Sequence, residues 1–326
     1  MLVPILLFLV GLALLIKGGD FFVDGSVNIA HRFHLPELLI GATVVAIGTS
    51  FPELLVSSTA AFNGQAQTAY GNAVGSVICN TALISALTIA IRPTETNRKN
   101  LILPTISFFI AATFYCLIVY TMGEFTRFTG ITLLCMFIVY IVFSVRSTLK
   151  NREEPVEEEQ EEENNKPTKL WMDILLIVIG AAAIAIGAKL LVDNGTKIAA
   201  WMGVPESVIA LTFVALGTSL PELVTAITAL AKGHSNLSLG NIIGANLFNL
   251  VLVCGAAITV RPFEIPVEKT FFDTGISASY IVDIPVMISV MLILAIPPLI
   301  KGKMYRWQGI VLLLIYAAYC FYQFAL

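Results

Sequence analysis

Ten stretches of this chain are each long and apolar enough to cross a lipid bilayer, and this leaves few folds open. They cover residues 2–30, 36–61, 68–91, 100–122, 127–146, 169–200, 205–231, 237–260, 277–299 and 306–325. A helix needs roughly 20 mostly apolar residues to span the hydrocarbon layer. Isolated strands there would leave backbone N–H and C=O groups unpaired, so the stretches read as helices. Charged residues make up only 13% of the 326, against roughly 25% in soluble domains, so the chain could not cover a soluble surface. The first stretch is read as a retained helix rather than a signal peptide. Lys17 follows Met1–Ile16 instead of preceding it, and no small-residue cleavage site is evident.

The net charge of −3 is less informative than its placement. With ten helices and an outside N-terminus, the inside loops hold thirteen of the nineteen basic residues, among them Arg98, Lys99, Arg152 and Lys301. The outside loops hold Arg127, Lys197, Arg261 and Lys269. The positive-inside rule then puts both termini outside and the 147–168 loop inside. The short central loop points to a prokaryotic plasma membrane. Cys79, Cys116, Cys135, Cys254 and Cys320 all fall within the expected helices at no metal-ligand spacing, and read as small buried hydrophobes.

The chain also repeats itself at an offset of 169 residues. Ile40–Leu54 reads IGATVVAIGTSFPEL and Ile209–Leu223 reads IALTFVALGTSLPEL. The register pairs Asp24 with Asp193, Pro36 with Pro205, Asn72 with Asn241, Asn80 with Asn249 and Arg92 with Arg261. Arg127 and Gly130 match Arg306 and Gly309 at an offset of 179, so about ten extra residues lie in the second half, assigned to 263–276. Two long copies in an apolar chain point to a transporter rather than a solenoid. Each copy holds five helices, an odd number, so the second must enter the membrane from the opposite side. The expected architecture is an all-α membrane protein of two inverted five-helix repeats around a midplane site, with helices 2, 3, 7 and 8 broken. The first repeat covers 1–150 (its core 36–91), and the second covers 169–326 (its core 205–260). Between them, 151–168 is a linker containing NREEPVEEEQEEENNK, too polar to bury anything and too short for a folded regulatory domain. A solvated tether is the plainer reading of it, a calcium sensor the sharper one.

Glu53 and Glu222 carry the functional signal. A carboxylate at the bilayer centre costs roughly 2.5–3.5 kcal/mol on insertion scales. These two sit mid-span, at equivalent repeat positions, in GTSFPE and GTSLPE. A purely structural role would leave that equivalence unexplained. Thr49 and Ser50 share a helix face with Glu53, as Thr218 and Ser219 do with Glu222. Their hydroxyls are hard oxygen donors suited to Ca²⁺ or Na⁺, and no His or Cys enters the motif to suggest zinc or copper. Pro52 and Pro221 lack the N–H that would bond the carbonyl four residues back. With Gly48 and Gly217 adjacent, each helix should break, turning carbonyls near Ala46 and Ala215 inward; a packing kink is the plainer reading. Gly71–Asn80 (GNAVGSVICN) and Gly240–Asn249 (GNIIGANLFN) add Ser76, Asn80 and Asn249, with glycines that permit close helix approach. A helix–helix hydrogen bond is the plainer role for these amides. Ala245 stands where the repeat would place a second Ser76. Two glutamates match the charge of one Ca²⁺ or two Na⁺, and competition at one site is the physical basis of exchange.

At these residues the chain resembles the cation/calcium exchanger superfamily, in its prokaryotic sodium/calcium exchanger branch. The resemblance implies a secondary antiporter, not an enzyme, that exchanges Na⁺ for Ca²⁺ by alternating access. Helices 1 and 6 would slide against an eight-helix core. Ca²⁺ and Na⁺ are its substrates. No cofactor, nucleic acid or obligatory protein partner is implied. Carried over by motif position, the ligands are Thr49, Ser50, Glu53, Ser76, Asn80 and the Ala46 carbonyl, with Thr218, Ser219, Glu222, Asn249 and the Ala215 carbonyl. Some relatives carry Asp at the position of Asn249, and a carboxylate there accompanies potassium co-transport in one branch. Asn249 therefore favours K⁺ independence. An H⁺/Ca²⁺ or K⁺-dependent antiporter is the alternative, and a cation channel or a non-transporting Ca²⁺ sensor a more distant one.

Overall fold

The computed structural model describes residues 2–150, 169–203, 217–265, 271 and 277–325. The acidic linker 151–168, the region of Pro205, Lys269 and Ala215 lie outside these residues. The described chain is helical: α1 (Leu2–Phe33), α2 (Glu37–Thr49), α3 (Phe51–Phe62), α4 (Ala66–Ile91), α5 (Arg98–Met122) and α6 (Arg127–Lys150), then α7 (Leu170–Trp201), α8 (Leu220–Ala231), α9 (Ser235–Val260), α10 (Ser279–Lys301) and α11 (Arg306–Ala325). Among the described residues seven helices are long and apolar enough to span a membrane, or eight if α2 and α3, bent by 45°, form one span. The expected span 205–231 lies partly outside the described residues, which hold its last 12 as α8. From α3 to α4, element bounds recur in α8 and α9 at the 169-residue offset: 51 and 220, 62 and 231, 66 and 235, 91 and 260.

The expected breaks in the third and eighth spans are corrected here. Helices α4 and α9 run through without interruption, but each contains a wider π turn, at Asn80–Ser85 and Asn249–Val253. A π turn accommodates one extra residue in an α-helix and re-aims the side chains around it. Each of these begins on the asparagine that the sequence singles out. A third π turn, Gly41–Val45, lies within α2.

Glycines set how close the helices come. Side chains on neighbouring helices gain little by leaving lipid for one another, so close van der Waals packing drives association. Along the α1–α7 seam a Cβ at Gly11 would sit 2.9 Å from the Gly187 carbonyl, and one at Gly180 only 2.6 Å from Phe22 N. On α9, a Cβ at Gly244 would lie 2.6 Å from Ala42 Cα, and one at Gly240 would run into the Leu38 carbonyl. Around Gly71 and Gly75 no described atom lies within 4 Å of such a Cβ. The residues the repeat would set against them, 207 and 211, lie outside the described residues.

Helices α1 and α7, each 32 residues, are about 48 Å long at 1.5 Å per residue. They form a long pair whose buried residues, including Leu15, Phe22, Val23, Ile184 and Ala188, share a small core with Ile40 and Val45 of α2, Ala229 of α8 and Leu237 of α9. The larger core is built chiefly from α4, α5, α6, α9 and α10 around Phe108, Tyr115, Phe248 and Met291. Asp173, fully buried in the first turn of α7, fastens one end of the pair. Arg32 donates to its Oδ2 from Nε at 3.0 Å and Nη2 at 2.8 Å, and Asn28 to Oδ1 at 3.1 Å. On the surface, β1 (Glu124–Phe125) pairs antiparallel with β2 (Phe263–Glu264), and a separate bridge joins Glu95 to Lys303.

Near that same end of the pair, Lys232 reaches from the α8–α9 turn to Asp24 at 2.6 Å and Asp20 at 3.4 Å. His234 Nδ1 lies 2.7 Å from Glu37 Oε1, and His31 Nε2 lies 3.8 Å from the same oxygen. The Glu37 contact holds the His234 pKa above its ordinary 6.5, opposed by partial burial; Asp24 adds to the rise and Lys232 subtracts. A raised folded-state pKa gives stability that is complete below the unfolded value and fades as pH rises through the folded one. Thermal stability is therefore expected to fall as pH rises above about 6.5, with a smaller slope in His234→Gln. Melting curves across that range check this; an unchanged slope refutes it.

Candidate cation site

The site forms where two helices start afresh inside the protein. Ser50 (φ −81°, ψ 3°) and Ser219 (φ −89°, ψ 4°) leave helical geometry, and α3 and α8 begin directly after them. Pro52 and Pro221 fall in the first turns of these helices, where a missing N–H costs nothing because that group would have no helical partner anyway. Glu53 and Glu222 lie in the same first turns, where the helix dipole favours a carboxylate. The break expected at GTSFPE is thus present, and residues 217–219 form a turn at GTSLPE. The Ala46 carbonyl is not left bare by it: it accepts the Ser50 N–H at 3.0 Å and faces the Thr49 hydroxyl at 3.4 Å.

The two halves meet across this centre. Ser50 Oγ donates to Glu222 Oε1 at 3.4 Å, and Ser219 Oγ lies 3.4 Å from Ser76 Oγ. Glu53, Glu222, Asn80 and Asn249 are all fully buried. Among the described residues, both carboxylate oxygens of Glu53, Oε2 of Glu222 and the whole amides of Asn80 and Asn249 have no hydrogen-bond partner. Buried polar atoms are nearly always paired, and an uncompensated buried carboxylate costs several kcal/mol. Unpaired oxygens of two acids and two amides, beside serine and threonine hydroxyls, make a donor set that a hard cation satisfies. A small cleft lined by Phe22, Gly48, Thr49, Pro52, Ile184 and Pro221 lies where the two proline turns face the α1–α7 pair.

Two further residues, not singled out from sequence, complete the arrangement. Thr49 Oγ1 donates to Asn241 Oδ1 at 3.1 Å, and Thr218 Oγ1 to Asn72 Oδ1 at 3.0 Å. The signal was present, because both asparagines open the GNxxG segments at the 169-residue offset. Of the expected site residues, Ala215 lies outside the described residues, and the other ten come from α2, α3 and Ser50 between them, α4, α8, α9 and the turn before α8.

A profile of the family described as "Sodium/calcium exchanger protein" matches residues 3–146 and 172–325. The chain belongs to the sodium/calcium exchanger family. The exchanger is 32% identical to sodium/calcium exchanger MaX1 of Methanosarcina acetivorans, over 97% of both chains. It is 35% identical to inner membrane protein YrbG of Escherichia coli, over 81% of its own length and 82% of that protein's. It superposes on a solved structure of the sodium-calcium exchanger NCX_Mj, soaked with 2.5 mM Na⁺ and 10 mM Sr²⁺, with a TM-score of 0.79, 31% identity and 97% of each chain covered. The exchanger is therefore a multi-span membrane transporter of the cation/Ca²⁺ antiporter class rather than an enzyme.

Proposed function

We propose that the exchanger moves Na⁺ against Ca²⁺ through one site near the membrane midplane, without K⁺. The observation that carries this is the pair of buried acids, Glu53 and Glu222, neither fully paired within the protein, with the Ser50 hydroxyl on Glu222. Their combined charge of −2 equals one Ca²⁺ or two Na⁺, so either load neutralises the site for crossing. Thr49, Ser50, Ser76 and Asn80 serve as oxygen ligands from one half, and Thr218, Ser219 and Asn249 from the other, with the Ala46 and Ala215 carbonyls joining them. Asn249 adds no charge, which favours K⁺ independence.

The framework in this reading is ten spans in two inverted repeats, 1–150 and 169–326, joined by a cytoplasmic 151–168 linker, with both termini outside. Several reciprocal contacts support it. Gly11 meets Gly187 while Gly18 meets Gly180, and the offset pairs 11 with 180 and 18 with 187. Glu95 bridges Lys303 while Glu264 pairs with Glu124, and 264 is 95 plus 169 whereas 303 is 124 plus 179. A contact that maps onto itself in this way is what a two-fold axis produces. The two matched family segments begin at 3 and 172, again 169 apart. Alternating access then follows as a slide of the α1–α7 pair past the site.

The test is flux in proteoliposomes. Ca²⁺ uptake is expected only with an outward Na⁺ gradient, and adding K⁺ on either side leaves it unchanged. Uptake that ignores Na⁺ and follows a pH gradient would replace this reading with proton coupling, and a requirement for K⁺ would overturn the role given to Asn249.

A further inference from the structure

A hydroxyl group carries one proton and two lone pairs. To coordinate a cation it must turn a lone pair inward and place its proton elsewhere. A proton aimed at the ion would oppose binding. Thr49 and Thr218 each have such an outlet, and in each case it comes from the other half of the molecule. Thr49 donates to Asn241 Oδ1 at 3.1 Å, nearer than the Ala46 carbonyl at 3.4 Å, and Thr218 donates to Asn72 Oδ1 at 3.0 Å. We propose that Asn72 and Asn241 are positioning residues that draw the protons of Thr218 and Thr49 away from the cation, so that both hydroxyls meet it as acceptors.

Chemistry fixes which way the Asn72 amide points. Its Nδ2 lies 3.3 Å from the Glu53 carbonyl and 2.9 Å from Ser57 Oγ. A carbonyl only accepts, so the NH₂ end faces Glu53 and the oxygen end faces Thr218. One amide therefore touches both halves: it is anchored to the backbone of Glu53 and orients a hydroxyl beside Glu222. An amide does this without altering the −2 charge of the site, which an aspartate at either position would change. The second half is less constrained. Ala226 occupies the position that Ser57 holds in the first, and among the described residues Asn241 Nδ2 is buried without a partner. Turned over, Asn241 would donate to Thr49 and send its proton to the Ala46 carbonyl. The upright amide relieves that carbonyl of the Thr49 proton, which leaves a lone pair for the ion.

This inference rests on Thr49 and Thr218 being cation ligands, and a double-mutant cycle separates the two ideas. Ca²⁺ binding to the purified full-length exchanger is measured by calorimetry for Asn72→Ala, Thr218→Ala and the double variant, and in parallel for Asn241→Ala, Thr49→Ala and their double. Each single change is expected to weaken Ca²⁺ binding about tenfold. Each double is expected to bind within about threefold of its threonine single, because the asparagine acts only through that hydroxyl. A merely structural role would weaken the threonine variants as much as wild type, so the loss of the asparagine effect in each double is the readout that separates positioning from structure. Additive losses of about a hundredfold in the doubles overturn the proposal while leaving the ligand reading intact. Normal binding in both threonine singles removes the ligand reading, and the proposal with it. Each cycle is read wherever its four proteins fold; failure of both asparagine variants to fold also overturns the proposal, since orienting a hydroxyl is not needed for folding.

Discussion

Glu53→Gln and Glu222→Gln should each abolish Ca²⁺ transport in vesicles while the protein still inserts and folds. Glutamine keeps the shape of glutamate and removes its charge, so the change isolates electrostatics. Each carboxylate is fully buried, and each first turn supplies backbone dipole but no positive side chain. A dication at this centre depends on both negative charges, and charge-assisted interactions are worth about 1.5–3 kcal/mol each. A substitution that removes two of them lowers affinity about a hundredfold or more. The effect on stability should have the opposite sign. Without Ca²⁺ the variants should melt no lower than wild type, because an unpaired buried charge has been removed. With Ca²⁺ at 100 times the dissociation constant, wild type gains about 2.7 kcal/mol from mass action, and the variants gain almost nothing. Melting curves with and without Ca²⁺ measure both halves of this expectation. Normal Ca²⁺ flux in either variant would remove that glutamate from the site.

Gly244→Val should carry a large cost without touching any charge. Any Cβ at Gly244 meets Ala42 Cα at 2.6 Å and its carbonyl carbon and oxygen at 2.8 Å. All of these are backbone atoms, so no rotamer change relieves the clash, and α9 must back away from α2. Overpacking of this kind costs about 1–3 kcal/mol, and valine adds two methyl groups beyond the first carbon. Transport should suffer more than stability does. Asn241 lies one turn before Gly244 on α9, and it reaches Thr49 at the end of α2. A gap opened here pulls those two apart at the proposed cation site. Detergent-solubilised yield and melting temperature test the first effect, and the apparent KM for Ca²⁺ tests the second. A variant with wild-type melting temperature and KM would show that the seam is slack.

Most of the framework was legible because its signals are coarse and physical. Apolar runs mark the helices, and the 169-residue echo reappears in the recurring bounds of α3–α4 and α8–α9. The twin GTSxPE segments placed both acids, and proline with glycine placed the bend after Thr49. What escaped was of another kind. The α4 and α9 helices carry glycines and asparagines that look like breaks. In fact the chain keeps its helical winding and takes up one extra residue in a π turn at Asn80 and at Asn249. No residue type separates that turn from an ordinary helical one; packing decides. Asn72 and Asn241 were visible as matching letters, but their roles depend on partners in the opposite half, Thr218 and Thr49, which the linear order does not pair. The Asp173–Arg32 link joins residues 141 apart for the same reason.

The α1–α7 seam has a bearing on speed rather than on affinity. Because Gly11, Gly18, Gly180 and Gly187 bring backbone against backbone, this pair has no slack to share and would travel as one plank in the proposed slide. The friction of any slide then falls on its other face, where the Phe22 ring rests on Gly48 and Gly19 faces Val224 and Thr228. A ring seated on a residue with no side chain has little to climb over. In the proposed slide, turnover would then depend on how readily the Phe22 ring leaves that hollow beside the GTSFPE turn.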